Sequence, residues 1–455
     1  MDIQLRRLNT PSTAVRKILR SGIARGASGV FISNILGSAV AFGVNILLTR
    51  SLGVSEFGRY AYIMVWINLL SSISLLGLDQ TIIRFIPEYR SQQKWQAARG
   101  LVGFSQRRVL LSSFAISLLL CCTLIIIFRE KKIDTYFLET FSIGSILIPI
   151  LAFMGIQKGI LRSFGKAILS VIPNNLLRPS LLALPILVAF FFMNKEFSAM
   201  SILVISNLTS FGILVVMEYI LRLAYPQDMK KAEEELIRKN QWWEVAKPIW
   251  IGAFIMNLNV RISSLILGTL LGTKEVGLYR IAARVSELIA FGLTAINVII
   301  GPLIAGHFSS GDKTGLQKTI TVSAFLLLIF SVPCGLCFFF FANEILGLFG
   351  KDFLMAETIL KVLVVSQIFN SICGPTNLIM IMTNLQKVSL TITIISTFFN
   401  ISISFIFILA FGLLGAALAN LLYMIFWNSV MVIFIKRRLK INPTILSVFS
   451  FYRLK

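Results

Sequence analysis

The chain has 455 residues, 56% of them hydrophobic and only 14% charged, with a mean hydropathy of +0.84. A soluble domain of that length could not hide so much apolar surface, so most of the chain is solvated by lipid. The formal net charge of +23 comes from 43 Lys and Arg against 20 Asp and Glu, spread over short loops, which excludes a nucleic-acid surface carried on a soluble domain.

Residues 1–25 hold Arg6, Arg7, Arg16, Lys17, Arg20 and Arg25 with no short apolar core or small-residue cleavage site. They read as a basic cytoplasmic N-terminus rather than a cleaved signal peptide. Apolar runs near the ~20 residues that a helix needs to cross a bilayer follow at 27–49, 60–78, 109–128, 141–161, 168–192 and 198–221. After a polar segment, six more lie at 248–270, 280–304, 319–342, 357–382, 388–410 and 412–435. A transmembrane barrel would alternate apolar and polar residues in short segments; these runs are continuously apolar and of helical length. The expected fold is an all-α membrane protein of twelve transmembrane helices. Its parts are an N-lobe at 26–221, a cytoplasmic central loop at 222–247, a C-lobe at 248–435 and a basic tail at 436–455.

The lobes share a duplicated segment. Leu52-Gly53-Val54-Ser55-Glu56-Phe57-Gly58-Arg59-Tyr60 recurs 219 positions later as Leu271-Gly272-Thr273-Lys274-Glu275-Val276-Gly277-Leu278-Tyr279. Each lobe crosses an even number of times, so the repeat is parallel, with a pseudo-twofold axis along the membrane normal, and a substrate site is expected between the halves. Counting basic residues by loop gives 30 on the side of the N-terminus and 9 on the other. Both termini and the central loop are therefore expected in the cytoplasm.

Few residues offer chemistry. Cys121, Cys122, Cys334, Cys337 and Cys373 all lie in apolar spans. Cys334 and Cys337 have the spacing of a metal or redox pair, but no further ligand is near in sequence, and packing is the expected role. His307 follows the eighth run at its cytoplasmic end and reads as an interfacial residue. No Gly-rich phosphate loop ending in Lys-Ser/Thr is present, so the chain is not expected to be an ATP-consuming enzyme. Ionisable residues at membrane depth are a different matter, because they are costly there and are functional candidates by default. Arg178 lies mid-way along the fifth run, Arg261 mid-way along the seventh, and Arg280 and Arg284 share one face at the start of the eighth. Glu287 is expected to pair with Arg284, and Glu218 with Arg222. Lys158, Arg162 and Lys166, at the end of the fourth run, can equally snorkel to the interface. Guanidinium groups lining a wet cavity would bind phosphate oxygens in bidentate fashion, so the expected substrate is anionic. Asn34, Asn45, Asn257 and Asn259 can contact sugar hydroxyls or stitch helices together. Pro173, Pro179, Pro185 and Gly374-Pro375 predict kinks.

The duplicated segments, Gly77-Leu-Asp-Gln-Thr-Ile-Ile-Arg84-Phe-Ile-Pro-Glu88, Ile160-Leu-Arg-Ser-Phe-Gly165-Lys166 and Gly412-Leu-Leu-Gly415-Ala-Ala together resemble polysaccharide transporters. Over essentially the whole chain the resemblance is to Wzx-type O-antigen and exopolysaccharide flippases of the multidrug/oligosaccharidyl-lipid/polysaccharide exporter superfamily. It implies a two-lobed bundle in a bacterial cytoplasmic membrane that moves an undecaprenyl-pyrophosphate-linked oligosaccharide to the outer leaflet by alternating access. Its implied partners are the lipid-linked oligosaccharide, membrane lipids, and glycan polymerase and chain-length proteins; the chain would act as a monomer without a cofactor, coupled or not to an H⁺ or Na⁺ gradient. Lipid II flippases of the superfamily generally carry two further helices. A multidrug exporter would want carboxylates in its cavity, and the first run has none. A non-transporting scaffold for glycan assembly would explain twelve helices but not buried arginines.

Overall fold

A computed structural model describes residues 22–130, 134–192, 197–232, 239–445 and 447. Every element among them is helical, as lipid demands of a chain whose backbone groups must be satisfied within each segment. Eight stretches are long and apolar enough to cross a membrane, and a ninth qualifies when its bent halves are joined. Two of those stretches are double length, which makes eleven crossings, and the broken helix Glu357–Cys373 with Thr376–Met382 supplies the twelfth. Gly22–Ser74 and Gln386–Leu439, at 53 and 54 residues, would each be about 80 Å long at 1.5 Å per residue if straight. Both fold back at one glycine, Gly53 (φ 69°, ψ 175°) and Gly412 (φ 59°, ψ −134°), where a left-handed φ is open to a residue without Cβ.

In the N-lobe, α1 covers 22–52 and α2 covers 54–74, with an extension Leu78–Ser91 beyond a break at Leu76 and Gly77. α3 is Trp95–Arg129 and α4 is Thr135–Ser145 with Leu147–Ser163. α5 joins Ala167–Ile172, a π turn Pro173–Leu177 and Arg178–Phe192, and α6 is Ala199–Ala224. In the C-lobe, α7 is Lys239–Leu270, and α8 joins Thr273–Ser286, a 3₁₀ turn Glu287–Ile289 and Ala290–Ser309. α9 is Lys313–Phe340, α10 joins Glu357–Cys373 and Thr376–Met382 across Gly374, and α11 and α12 lie either side of Gly412. Caps readable in the sequence start several of them. The Asp134 side chain accepts from Phe137 N before α4, and Ser198 and Ser201 form a capping box before α6.

The central loop is more ordered than its polarity suggests: α7 already begins at Lys239, and Gln227–Lys231 is a short helix. Trp242, fully buried, donates from Nε1 to Tyr89 OH at 2.9 Å and so ties the start of α7 to the extension of α2. Further along, Trp250 Nε1 donates to Ile73 O at 2.9 Å, and the Tyr62 ring lies over Gly268.

The lobes meet most closely at the end away from the start of α1, and there the duplicated segments touch each other. A Cβ on Gly58 would press on the Thr273 carbonyl and sit 3.1 Å from Lys274 Cα, and one on Gly277 would sit 2.9 Å from Gly58 Cα. Each copy needs glycine because the other copy's backbone occupies the side-chain space. Around this contact, buried Val54, Phe57 and Ala61 pack with Val276, Leu278 and Ile281. Phe42 meets Phe349 edge-on at 5.3 Å, Phe57 meets Phe353 at 5.9 Å, and Arg50 Nε donates to Leu348 O at 2.7 Å. The architecture is two six-helix lobes related by a parallel repeat, with apolar faces such as Leu111, Phe114, Leu118 and Leu119 of α3 exposed toward lipid.

Candidate functional site

Below the glycine contact, the lobes enclose two adjoining cavities of about 330 and 360 Å³. Tyr60, Met64 and Arg284 line both and form the partition between them. The first is bounded by Gly37, Ser38 and Ala41 of α1 and by Asn174, Asn175, Arg178, Pro179 and Leu182 of α5. The second is bounded by Asn45 and Asn68 of the N-lobe and by Arg261, Arg280, Arg284 and Glu287 of the C-lobe. Arg261, Arg280 and Arg284 thus stand on the second cavity and Arg178 on the first, with Arg284 lining both.

Arg178 is placed by an irregularity in α5. Residues 173–177 form a π turn in which the Arg178 N–H donates to Pro173 O, one residue further back than in an α-helix. The extra residue advances the helix phase and sets Asn174, Asn175 and Arg178 on the cavity. Asn175 comes against Gly37, where a Cβ would lie 2.7 Å from its carbonyl oxygen, so α1 and α5 approach closely here. Arg178 Nε donates to Ser210 Oγ of α6 at 2.9 Å. Arg261 is held along its own helix, with one terminal nitrogen 3.0 Å from both the backbone and the side-chain oxygen of Asn257. Arg280 lines the same cavity. Arg284 approaches Glu287 at 3.4 Å, longer than a tight guanidinium–carboxylate bond. Among the described residues, no carboxylate pairs with Arg178, Arg261 or Arg280.

The asparagines divide. Asn45 lines the second cavity. Asn257 is engaged in orienting Arg261, and Asn34 Oδ1 accepts from Asn175 Nδ2 at 2.8 Å, joining α1 to α5. Asn259 points into the C-lobe instead, where it donates to Tyr423 OH and accepts from Asn400 Nδ2 at 2.6 Å; its place is in the lobe's internal packing, not on either cavity. Tyr60, Asn68, Asn174 and Asn175 complete the cavity walls, and sequence reasoning missed their part in it. Tyr60 alone carried a signal, as the last residue of the duplicated segment.

Other expectations find their positions. Glu218 Oε1 lies 3.1 Å from Arg222 Nε and its second oxygen accepts from buried Gln157 at 2.9 Å. Lys361, inside the run at 357–382, pairs with Glu357 at 2.5 Å. His307 Nδ1 lies 2.9 Å from Asp312 Oδ2 at the turn between α8 and α9. Cys334, Cys337 and Cys373 are free thiols, Cys373 buried in α10.

Comparison with known proteins agrees with this architecture. The profile of the family described as polysaccharide biosynthesis protein matches residues 23–307, and the MatE profile matches residues 248–406. A probable low-salt glycan biosynthesis flippase, Agl15, of Haloferax volcanii is 23% identical over 407 residues, covering 88% of this chain and 80% of its own. Among solved structures, the lipid II flippase MurJ in an inward closed conformation has a TM-score of 0.69 at 16% identity, covering 90% of this chain and 87% of that one. An inward-facing multidrug resistance MATE family transporter of the MOP superfamily has a TM-score of 0.67 at 15% identity, covering 91% and 94%. With the family profile matched over more than half its length, this multi-pass membrane chain belongs to the polysaccharide biosynthesis protein family.

Proposed function

We propose that the chain is a flippase that moves an undecaprenyl-pyrophosphate-linked oligosaccharide from the cytoplasmic to the outer leaflet of a bacterial plasma membrane. The observation that carries this reading is the sign of the interlobe space: Arg261, Arg280 and Arg284 share one cavity with a single carboxylate, Glu287. At membrane depth, unpaired guanidinium groups are costly unless an anion completes them. A pyrophosphate supplies oxygens on two adjoining phosphorus atoms, which suits several forked donors converging on one cavity. The glycan would enter with the head group while the lipid tail stays in the bilayer. Tyr60, Asn45 and Asn68 offer hydroxyl-compatible partners beside the arginines. The excess of basic residues at the N-terminal side supports loading from the cytoplasm, and the glycan flippase relative supports the substrate class.

The test is Arg261→Ala in a strain without another flippase. Surface glycan is expected to fall at least a hundredfold while the protein inserts at normal abundance, because the hydrogen bonds of this residue among the described residues run along its own helix. Arg261→Lys is expected to retain part of the export, since the ammonium keeps the charge and loses the fork. Undiminished glycan in the alanine variant at matched expression would remove Arg261 from the head-group site. Cationic-dye efflux that improves on removing the charge would favour a multidrug exporter.

A further inference from the structure

Resting on the flippase reading, we propose that the transported glycan is acidic, and that the Arg178 cavity is the subsite for one sugar carboxylate close to the pyrophosphate-linked end. The two cavities are chemically distinct. The second already holds three arginines against one glutamate, a net charge suited to a pyrophosphate by itself. Arg178 stands outside that group, on the first cavity, where the other arginine is the shared Arg284.

Three features of that first cavity point to a sugar acid. Ser210 engages only Nε of Arg178, and no carboxylate pairs with it among the described residues, which leaves the terminal nitrogens for an incoming acceptor pair. The surrounding groups suit a sugar ring: Ser38, Asn174 and Asn175 line the space, and the Asn174 side chain makes no hydrogen bond among the described residues. The volume fits as well. At about 30 Å³ per water, a space of about 330 Å³ is far more than a second phosphate fills and is ample for one sugar residue. Arg284 lines both cavities and so stands beside each part of a substrate that occupies the two. A single bound substrate then places its pyrophosphate among Arg261, Arg280 and Arg284 and a nearby carboxylate on Arg178.

The full chain, reconstituted in liposomes, can be offered two probes that differ at one atom group. One is a prenyl-pyrophosphate-linked oligosaccharide carrying a glucuronic acid near the pyrophosphate, and the other is its carboxyl-reduced glucose counterpart. Each bears a fluorophore on the far sugar, and flipping is read as protection from an impermeant quencher. The wild-type chain is expected to flip the acidic probe about tenfold faster, the size of one charge-assisted hydrogen bond. Arg178→Gln is expected to bring the acidic probe down to the rate of the neutral one, and Arg178→Lys to retain part of the preference. Equal wild-type rates for the two probes, or an Arg178→Gln variant that slows both alike, would overturn the acidic subsite and leave the flippase reading standing. Transport of neither probe by the inserted wild-type chain would overturn both. If Arg178→Gln fails to insert, the wild-type comparison of the two probes decides.

Discussion

The two lobes are copies in backbone and strangers in chemistry. α5 begins at Ala167 and α11 at Gln386, again 219 positions apart, and Gly53 and Gly272 share a positive φ with ψ of 175°. Yet the position 219 residues after Arg178 is Thr397, a buried residue whose hydroxyl returns to Thr393 O at 2.8 Å. The positions 219 residues before Arg280 and Arg284 are Ala61 and Val65, both buried in apolar clusters. Duplication has kept the residues where one backbone meets the other and let the cavity walls diverge. An anionic, asymmetric substrate needs that divergence: a site with exact twofold symmetry would present the same charge to both of its ends.

The comparison can be broken at its most constrained point first. Gly58→Ala puts a methyl group against backbone atoms of Thr273 and Lys274 that cannot swing aside. It is expected to destabilise the closed seam by about 1–3 kcal/mol, read as a lower melting temperature in detergent together with loss of transport, and Gly277→Ala should behave alike. Gly43→Ala is the control, since nothing lies within 4 Å of that position, and it should be neutral or slightly stabilising.

A smaller effect separates the two glutamates of the duplicated segment. Glu56 Oε2 accepts from Tyr136 OH at 2.8 Å and from Ala199 N, at the start of α6, at 2.7 Å, while Oε1 pairs with Arg59 at 2.5 Å. Arg59 in turn lies over the Tyr136 ring at 4.4 Å. Glu275, its counterpart, has no such partner among the described residues. Glu56→Gln is therefore expected to cost about 1–2 kcal/mol, and Glu275→Gln to stay within about 0.5 kcal/mol, by the same melting measurement. Equal shifts would mean that the copies share more than the backbone.

The smallest difference lies at the helices that follow the second crossing of each lobe. α3 starts after Lys94 with no side-chain cap, whereas Asp312 accepts from Gly315 N at the start of α9. That backbone hydrogen bond, with a lesser contribution from His307, holds the Asp312 carboxyl below its ordinary range. A carboxyl depressed in the folded state contributes stability above its unfolded value, and the contribution fades as pH falls through the folded one. The Gly315 amide resonance in labelled protein should follow this titration, with a midpoint below that of an ordinary aspartate. The amides opening α3 should show no matching step.

Much of this was legible in the chain. The twelve crossings followed from run length, and Arg178, Arg261, Arg280 and Arg284 were singled out by the expense of burying charge in lipid. The asparagines were not legible, because an amide in an apolar run has the same sequence context whether it faces a cavity, as Asn45 does, or a neighbouring helix, as Asn259 does. Only rotational phase separates the two cases, and phase is altered by local geometry. The π turn at 173–177 adds a residue to one turn of α5, and the prolines that flank it predict a kink without giving its direction. The start of α7 at Lys239 was hidden for a different reason: Trp242 and Trp243 sit in a polar stretch, and their helix is stabilised by packing on Tyr89 and Phe104 rather than by an apolar run.

The seam around Gly58 and Gly277 is built from backbone proximity, aliphatic side chains and two aromatic pairs, with one hydrogen bond from Arg50 to a backbone carbonyl, while Arg261, Arg280 and Arg284 sit apart in the cavities. Ionic strength therefore acts on the two halves of the transport cycle unequally. Parting the lobes exposes apolar surface, to which mobile ions are nearly indifferent, but the attraction of the proposed polyanionic head group to Arg261, Arg280 and Arg284 would be screened over a Debye length of about 8 Å in physiological salt. Raising salt should weaken loading and leave the rocking of the lobes almost untouched, so that binding and conformational exchange become separately adjustable in one molecule.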